Sequence, residues 1–354
     1  MSAAFKAAAS ALSAEINLSR DSVLGIMDYS YAPYSLGDTM TWLTNLQIIA
    51  HLHGAPCVDI IIVARPERAS SRLQQHTITA HNYVHALESV FPAFFCAPMV
   101  RTVRIYEASR PFSQRMFGAV AAGEGAWPPL VSHFRQELDY ATHRLINAFF
   151  RDHKFIPLLG APRGYDAELH QFRRRFLTGR EPIVVNIRRR TLSNDTTAMV
   201  SNIATLSRDS VGDAWDRFFA TVERRYPSVT FIVVGGFSEW ERSLARRSNV
   251  VIPRAVGYGL GVELALLFDG APFMGTSSGF SAAATFSDTP YVITNFEHQS
   301  GPRVELEIGA ESYPFATGSQ WLSWEPETKE SLLSQFERLR SAVSAKTEAA
   351  GMKT

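Results

Sequence analysis

The sequence predicts an α/β chain of two Rossmann-like domains, on three observations. Short apolar runs suited to buried strands alternate with stretches of helical periodicity through both halves. Loops containing glycine follow several of those runs. The length of 354 residues also exceeds the roughly 250–300 at which one hydrophobic core stops growing.

In the first half, Val23 to Ser30 (VLGIMDYS) reads as a buried strand followed by the polar loop YAPYSLGD. TMTWLTNLQIIAHLHG then places Trp42, Leu46, Ile49, Ala50 and His53 near one side of a helix, with Gly54 as its stop signal. VDIIIVA (Val58 to Ala64) is a second strand, and VRTVRIYE (Val100 to Glu107) alternates like a more exposed third. Between Ser109 and Pro129 the chain is rich in glycine, proline and aromatics, as either a substrate lid or a plain connection would be. LVSHFRQELDYATHRLINAFFRD predicts a long amphipathic helix, and PLLGAPRGYD a linker.

The second half opens on the helix AELHQFRRRFLTG and continues with the strand IVVNIRRR, Ile183 to Arg190. WDRFFATVERRY is a helix, VTFIVVGG a buried strand ending in glycines, NVVIPR a short strand and VELALLFDGA a helix. APFMGTSS is a strand, SGFSAAATFSDT a helix of small residues, PYVITN a last strand, and a polar amphipathic helix begins after Pro326. This regular βαβα succession supports a Rossmann-like second domain. The expected boundaries are 1–160, 161–325, and a C-terminal helix and tail over 326–354.

Composition narrows the function classes. Hydrophobic residues make up 46% and charged residues 19%, which excludes a fibrous or globally disordered protein. The 35 Lys and Arg against 34 Asp and Glu leave a net charge of +1, against a general nucleic-acid or membrane-surface binder. Any basic function is therefore local, and membrane contact at most peripheral. Cys57 and Cys96 lie in apolar settings without ligand spacing and read as structural thiols. The N-terminus reads as a helical lead-in rather than a signal peptide. No run reaches the ~18 apolar residues of a membrane span, and a cytoplasmic enzyme is the expectation. His51 and His53, and His81 with His85, are chance pairs more readily than metal ligands.

The most informative stretch is FMGTSSGFSAAATF. Its G-x-S-x-G, Gly275 to Gly279, spells a hydrolase nucleophile elbow on Ser277. Only His298 remains after it to serve as base, with Asp288 as the candidate acid, and little sheet follows to carry them. As a phosphate site the same turn needs less: Gly275 and Gly279 permit close backbone approach, Thr276, Ser277 and Ser278 supply hydroxyls, and the helix from Phe280 points its positive end at the loop. Close packing of helix on sheet would also favour such small residues. Three arginines end the strand IVVNIRRR, a costly place for charge unless an anion or carboxylate meets them. Alternation sends Arg188 and Arg190 to one side and Arg189 to the other.

With these residues in view, VELALLFDGAPFMGTSSGFSAAATFSDTPYVITN resembles the donor-binding segment of bacterial heptosyltransferase-like enzymes of the glycosyltransferase-B superfamily. SLGDTMTWLTNLQIIAHLHG resembles that family's N-terminal loop and helix, and VNIRRR is similar to the strand end of certain fucosyltransferases, where an arginine contacts the nucleotide diphosphate. Two positions depart: Thr276 stands where the heptosyltransferase turn usually has an acidic residue, and Asn186 where the fucosyltransferases have histidine.

The resemblance implies two Rossmann-like domains facing across a cleft, the C-terminal helix packing back on the N-terminal one. It implies sugar transfer from a nucleotide-sugar donor to a hydroxyl of a glycan, lipid-linked saccharide or protein, inverting and metal-independent, with no further cofactor. Asp38 would be the base, with helix capping as its alternative role and Asp28 in reserve. Arg188, Arg190 and the amides of Gly275 to Phe280 would meet the departing diphosphate. Gly235 and Gly236 would let the chain turn beside the base, and Glu263 would contact the ribose or lie on a helix surface. No DxD motif points to a divalent ion. The other readings are a serine hydrolase built on Ser277 and a sugar-nucleotide or glycan binding protein without a catalytic base.

Overall fold

The computed structural model describes residues 21–29, 32–64, 78–107, 126–127, 142–188, 209–236, 239–240, 243–296 and 304–351. The N-terminal lead-in, most of the 109–129 segment, the start of the predicted 130–152 helix, Arg190 and His298 lie outside them. The chain divides into two compact units between Leu158 and Leu159, and the C-terminal helix belongs to the second.

The first unit holds a parallel sheet of β1 (Ser22–Asp28), β2 (Cys57–Ala64), β3 (Val100–Glu107) and β4 (Ala126–Trp127) in the order β3-β2-β1-β4. Helix α1 (Leu36–Leu52) crosses from β1 to β2. Its periodicity predicts one buried side, yet Thr39 to Ile48 are all buried. The hydroxyls of Thr39, Thr41 and Thr44 make this affordable by donating to the carbonyls of Ser35, Gly37 and Met40 at 2.9, 3.0 and 3.1 Å. Asp59 on β2 clips three strands together: it accepts from Ser22 Oγ of β1 at 2.7 Å and from Thr102 Oγ1 of β3 at 2.6 Å, and it pairs with Arg101. Cys96, in a short 3-10 turn (Phe91–Cys96) after helix α2 (Tyr83–Glu88), is buried; Cys57 is half-buried, and both are free thiols. The next described helix is α3 (Arg144–His153).

The second unit begins with the extended linker, then α4 (Asp166–Phe172), which runs into one π-turn, Arg173–Leu177. Its sheet has six parallel strands: β5 (Glu181–Asn186), β6 (Val229–Val234), β7 (Val250–Val251), β8 (Phe273–Thr276), β9 (Tyr291–Thr294) and β10 (Gln320–Leu322). Their order is β10-β9-β8-β5-β6-β7. Counted from β5 this is the 6-5-4-1-2-3 winding of a dinucleotide-binding sheet. Helices α5 (Gly212–Arg225), α6 (Leu260–Phe268) and α7 (Gly279–Thr285) connect the strands. The sequence reading did not include β10, a three-residue strand whose Gln320 is buried because its Nε2 donates to the carbonyls of Ser287 and Thr289, each at 2.9 Å.

Helix α8 (Lys329–Gly351) follows β10 and belongs to the second unit. Its Leu332, Phe336 and Leu339 are buried in that unit's core with Trp215, Phe218 and Phe231. Phe336 meets Phe218 edge-on, ring centres 5.6 Å apart. Glu327, just before this helix, is buried and fully engaged. It accepts from the Val211 amide and Trp215 Nε1, both at 2.9 Å, and from Thr294 Oγ1 at 2.7 Å. Replacing Phe336 by alanine should cost about 3–5 kcal/mol in equilibrium unfolding, as for other buried aromatics; a loss under 1 kcal/mol would mean that the helix is not integral to this core.

Candidate functional site

The winding of the second sheet reverses between β5 and β8, since β6 and β7 extend to one side and β9 and β10 to the other. Open α/β sheets bind ligands at the carboxyl ends of strands beside such a reversal. There Asn186, the last residue of β5, pairs with Gly275 of β8. Gly275 has a structural reason to be glycine: a Cβ on it would lie 2.6 Å from the Asn186 carbonyl oxygen.

Arg188 spans the reversal. Its Nη1 donates to the Ser277 carbonyl at 3.4 Å, and its Nε lies 3.7 Å from Asp209 Oδ1. The main chain at Arg188 is pinned by Ser210, which accepts from the Arg188 amide through Oγ at 3.1 Å and donates its own amide to the Arg188 carbonyl at 2.8 Å. A guanidinium with its side chain only 11% exposed is thereby held over the β8–α7 turn.

The turn residues have distinct tasks. Thr276 is fully buried at the end of β8. Ser278 caps α7: the Ser281 amide donates to Ser278 Oγ at 3.2 Å, and the Ser278 amide to Ser281 Oγ at 2.7 Å, a reciprocal capping box. Ser277 is half-buried, Gly279 begins α7, and Phe280 is buried in its first turn. Ser277 does occupy a strand-to-helix turn, as an elbow requires; His298, the candidate base, lies outside the described residues. The sheet also continues for two strands beyond β8, more than the sequence reading allowed.

At the neighbouring end of β6 the chain turns at Gly235, whose φ of +130° is open to glycine alone. Two carboxylates meet this turn. Glu263 of α6, expected on a surface or against a ribose, has no side-chain exposure. Its Oε1 accepts from the Gly235 amide at 3.1 Å and its Oε2 from Arg254 Nε at 3.0 Å. Burial pushes its carboxyl up to about 7 against the pull of Arg254. Glu239, which no sequence motif marks, accepts from the Gly236 amide at 2.9 Å, and burial raises its carboxyl too. Asn186 Nδ2 donates to the Val234 carbonyl at 2.9 Å.

In the first unit Asp28 ends β1 and is buried, while Asp38 is half-buried in the first turn of α1. The Asp38 amide donates to Ser35 Oγ at 3.5 Å, so Ser35 is the N-cap. Tyr29 and Tyr34 stack with ring centres 4.0 Å apart. Burial raises both hydroxyls well above the usual range, with lesser contributions from Asp38 at Tyr29 and from Asp28 at Tyr34.

Among the described residues no three of His, Cys, Asp and Glu gather into a metal-holding group, and no helix is long and apolar enough to cross a membrane. No protein-family model and no curated protein matches the chain. Solved structures similar to it include the Escherichia coli heptosyltransferase WaaC with ADP, 12% identical, covering 89% of this chain and 99% of that one at a TM-score of 0.46. A glycosyl transferase family 9 protein from Veillonella parvula is 10% identical, covering 90% and 97% at 0.48. The iron-containing dodecameric glycosyltransferase TibC of enterotoxigenic E. coli is 12% identical, covering 92% and 77% at 0.40.

The buried acid gives a pH test. Because the folded value of Glu263 lies above its ordinary one, the stability it lends is complete below about pH 4.5 and is lost as pH rises toward 7. Glu263→Gln should therefore gain on the wild type by on the order of 3 kcal/mol across that window. Parallel unfolding curves at every pH would show that Glu263 is not held this way.

Proposed function

We propose that the chain is a glycosyltransferase whose second unit binds the nucleotide diphosphate of an activated sugar at the reversal between β5 and β8. The observation that carries this reading is Arg188, a largely buried guanidinium held over the β8–α7 turn at the carboxyl edge of a sheet with dinucleotide-binding winding. The resemblance of the segment around Gly275 to heptosyltransferase-like donor sites supports it, as does a second parallel sheet wound in the same sense around β1.

In this reading an acceptor hydroxyl attacks the anomeric carbon as the bond from that carbon to the diphosphate oxygen breaks. The bonding electrons leave with the diphosphate, and Arg188, with Arg190, neutralises the growing charge. Asp38 takes the hydroxyl proton, Asp28 being the alternative base, and the anomeric configuration inverts. No metal is required in this scheme, because arginine charge and main-chain amides do the work at the leaving group. Ser278 contributes by fixing α7 rather than through a free hydroxyl, and Gly275 by letting β8 lie close to β5. The acceptor is a glycan, lipid-linked saccharide or protein, and the reaction is cytoplasmic.

Two measurements test this. A thermal-shift panel of GDP, UDP, ADP, dTDP and CMP should show one preferred nucleoside diphosphate, and Arg188→Ala should weaken it about 10- to 100-fold, the worth of a charge-assisted contact. No shift with any nucleotide would remove the transferase reading. With the donor known, Asp38→Asn should lower turnover about 10²- to 10⁴-fold while leaving nucleotide affinity unchanged; full turnover would move the base to Asp28.

A further inference from the structure

Around Gly236 the protein binds an anion of its own. The Glu239 carboxylate receives the Gly236 amide at 2.9 Å, lies beside the Asn186 side chain, and is in the fields of Arg254 and Arg188. The carboxylate lies close against the turn, where a methyl group on Gly235 would overlap it. A main-chain amide after a parallel strand is also a partner that a phosphate oxygen takes, and Arg188 and Arg254 supply positive charge nearby. A second feature lies beside them. Asn186 is only 2% exposed, and its Oδ1 has no hydrogen-bond partner among the described residues. A buried acceptor left without a donor is costly, and a ligand hydroxyl would satisfy it.

We propose that Glu239 occupies a phosphate seat at the end of β6, and that a nucleoside diphosphate binds by displacing it, bringing a hydroxyl to Asn186 Oδ1. This deepens the donor-site reading and rests on it. A phosphate and the carboxylate exclude one another there, because two anions at hydrogen-bond separation repel strongly. Displacement is feasible because Glu239 follows the Gly235–Gly236 turn on a loop rather than within a strand or helix, and its carboxylate regains solvation on leaving. The wild-type protein therefore binds its donor against an internal competitor.

Calorimetric titration of the full chain with inorganic pyrophosphate and with GDP, UDP and ADP tests the seat. Glu239→Ala should bind pyrophosphate at least about tenfold tighter than the wild type. Glu239→Gln, which removes the charge and keeps the volume, should fall between them and stands in if the alanine variant folds poorly. Adding Arg188→Ala should abolish the gain. Pyrophosphate binding that is absent, unchanged or weaker in both variants overturns the proposal. If the wild type binds a nucleoside diphosphate and neither variant improves on it, the seat falls while the transferase reading stands. A pyrophosphate gain with no nucleotide bound by any form keeps the seat and removes that reading.

Discussion

The contact on which the second unit depends is the one between β5 and β8. These strands are distant in sequence, and they meet at the point where the sheet's winding changes direction, so no crossover helix covers the crevice at their carboxyl ends. Gly275 lets them close up, since any side chain there would strike the Asn186 carbonyl. Once they are in register, the β8–α7 turn falls within reach of Arg188, and the β6 turn falls beside Asn186. One glycine thus sets the spacing for a group of polar residues drawn from four connections.

Those residues are charged and largely withdrawn from water, which is tolerable only because each is met by a definite partner. Glu263 spends one oxygen on Gly235 and the other on Arg254, while Glu327 binds three donors from separate elements. Such groups are poor sources of net stability, yet removing one partner leaves a buried charge exposed to its full desolvation cost. They hold geometry. In the first unit, Asp59 ties β1, β2 and β3 by the same means near the opposite end of its strands, where structural roles are expected.

Much of the fold is legible in the sequence, because buried parallel strands are short apolar runs and their helices carry a separate period. All the strands expected from such runs form, but β5 stops at Asn186, so Arg188 lies beyond the strand and strand alternation does not orient it. Less legible is what a tertiary partner adds to a residue's meaning. Gly275, expected as a ligand-approach glycine, also makes room for a neighbouring strand, and Glu263 lies not on a helix surface but buried against Gly235 and Arg254. β10 is short and carries a glutamine, and α1 is buried on sides that its threonines mark as polar. Glu239 left one usable signal, an acid three residues past a Gly-Gly turn at a strand end, where a carboxylate can fold back onto a free amide. The apolar face of α8 is visible in the sequence, but which unit it covers is not, because periodicity identifies a face and says nothing of its partner.

The placement of α8 bears on how the chain is made. Trp215, Phe218 and Phe231 acquire their last neighbours, Leu332, Phe336 and Leu339, only after about a hundred more residues have been translated, an interval of roughly 5–20 s. The described strands of the first sheet all come from the first unit. Until α8 is made, the second unit's core keeps an aromatic surface that this helix alone among the described helices covers with Leu332, Phe336 and Leu339, the kind of exposed apolar surface that chaperones recognise during synthesis.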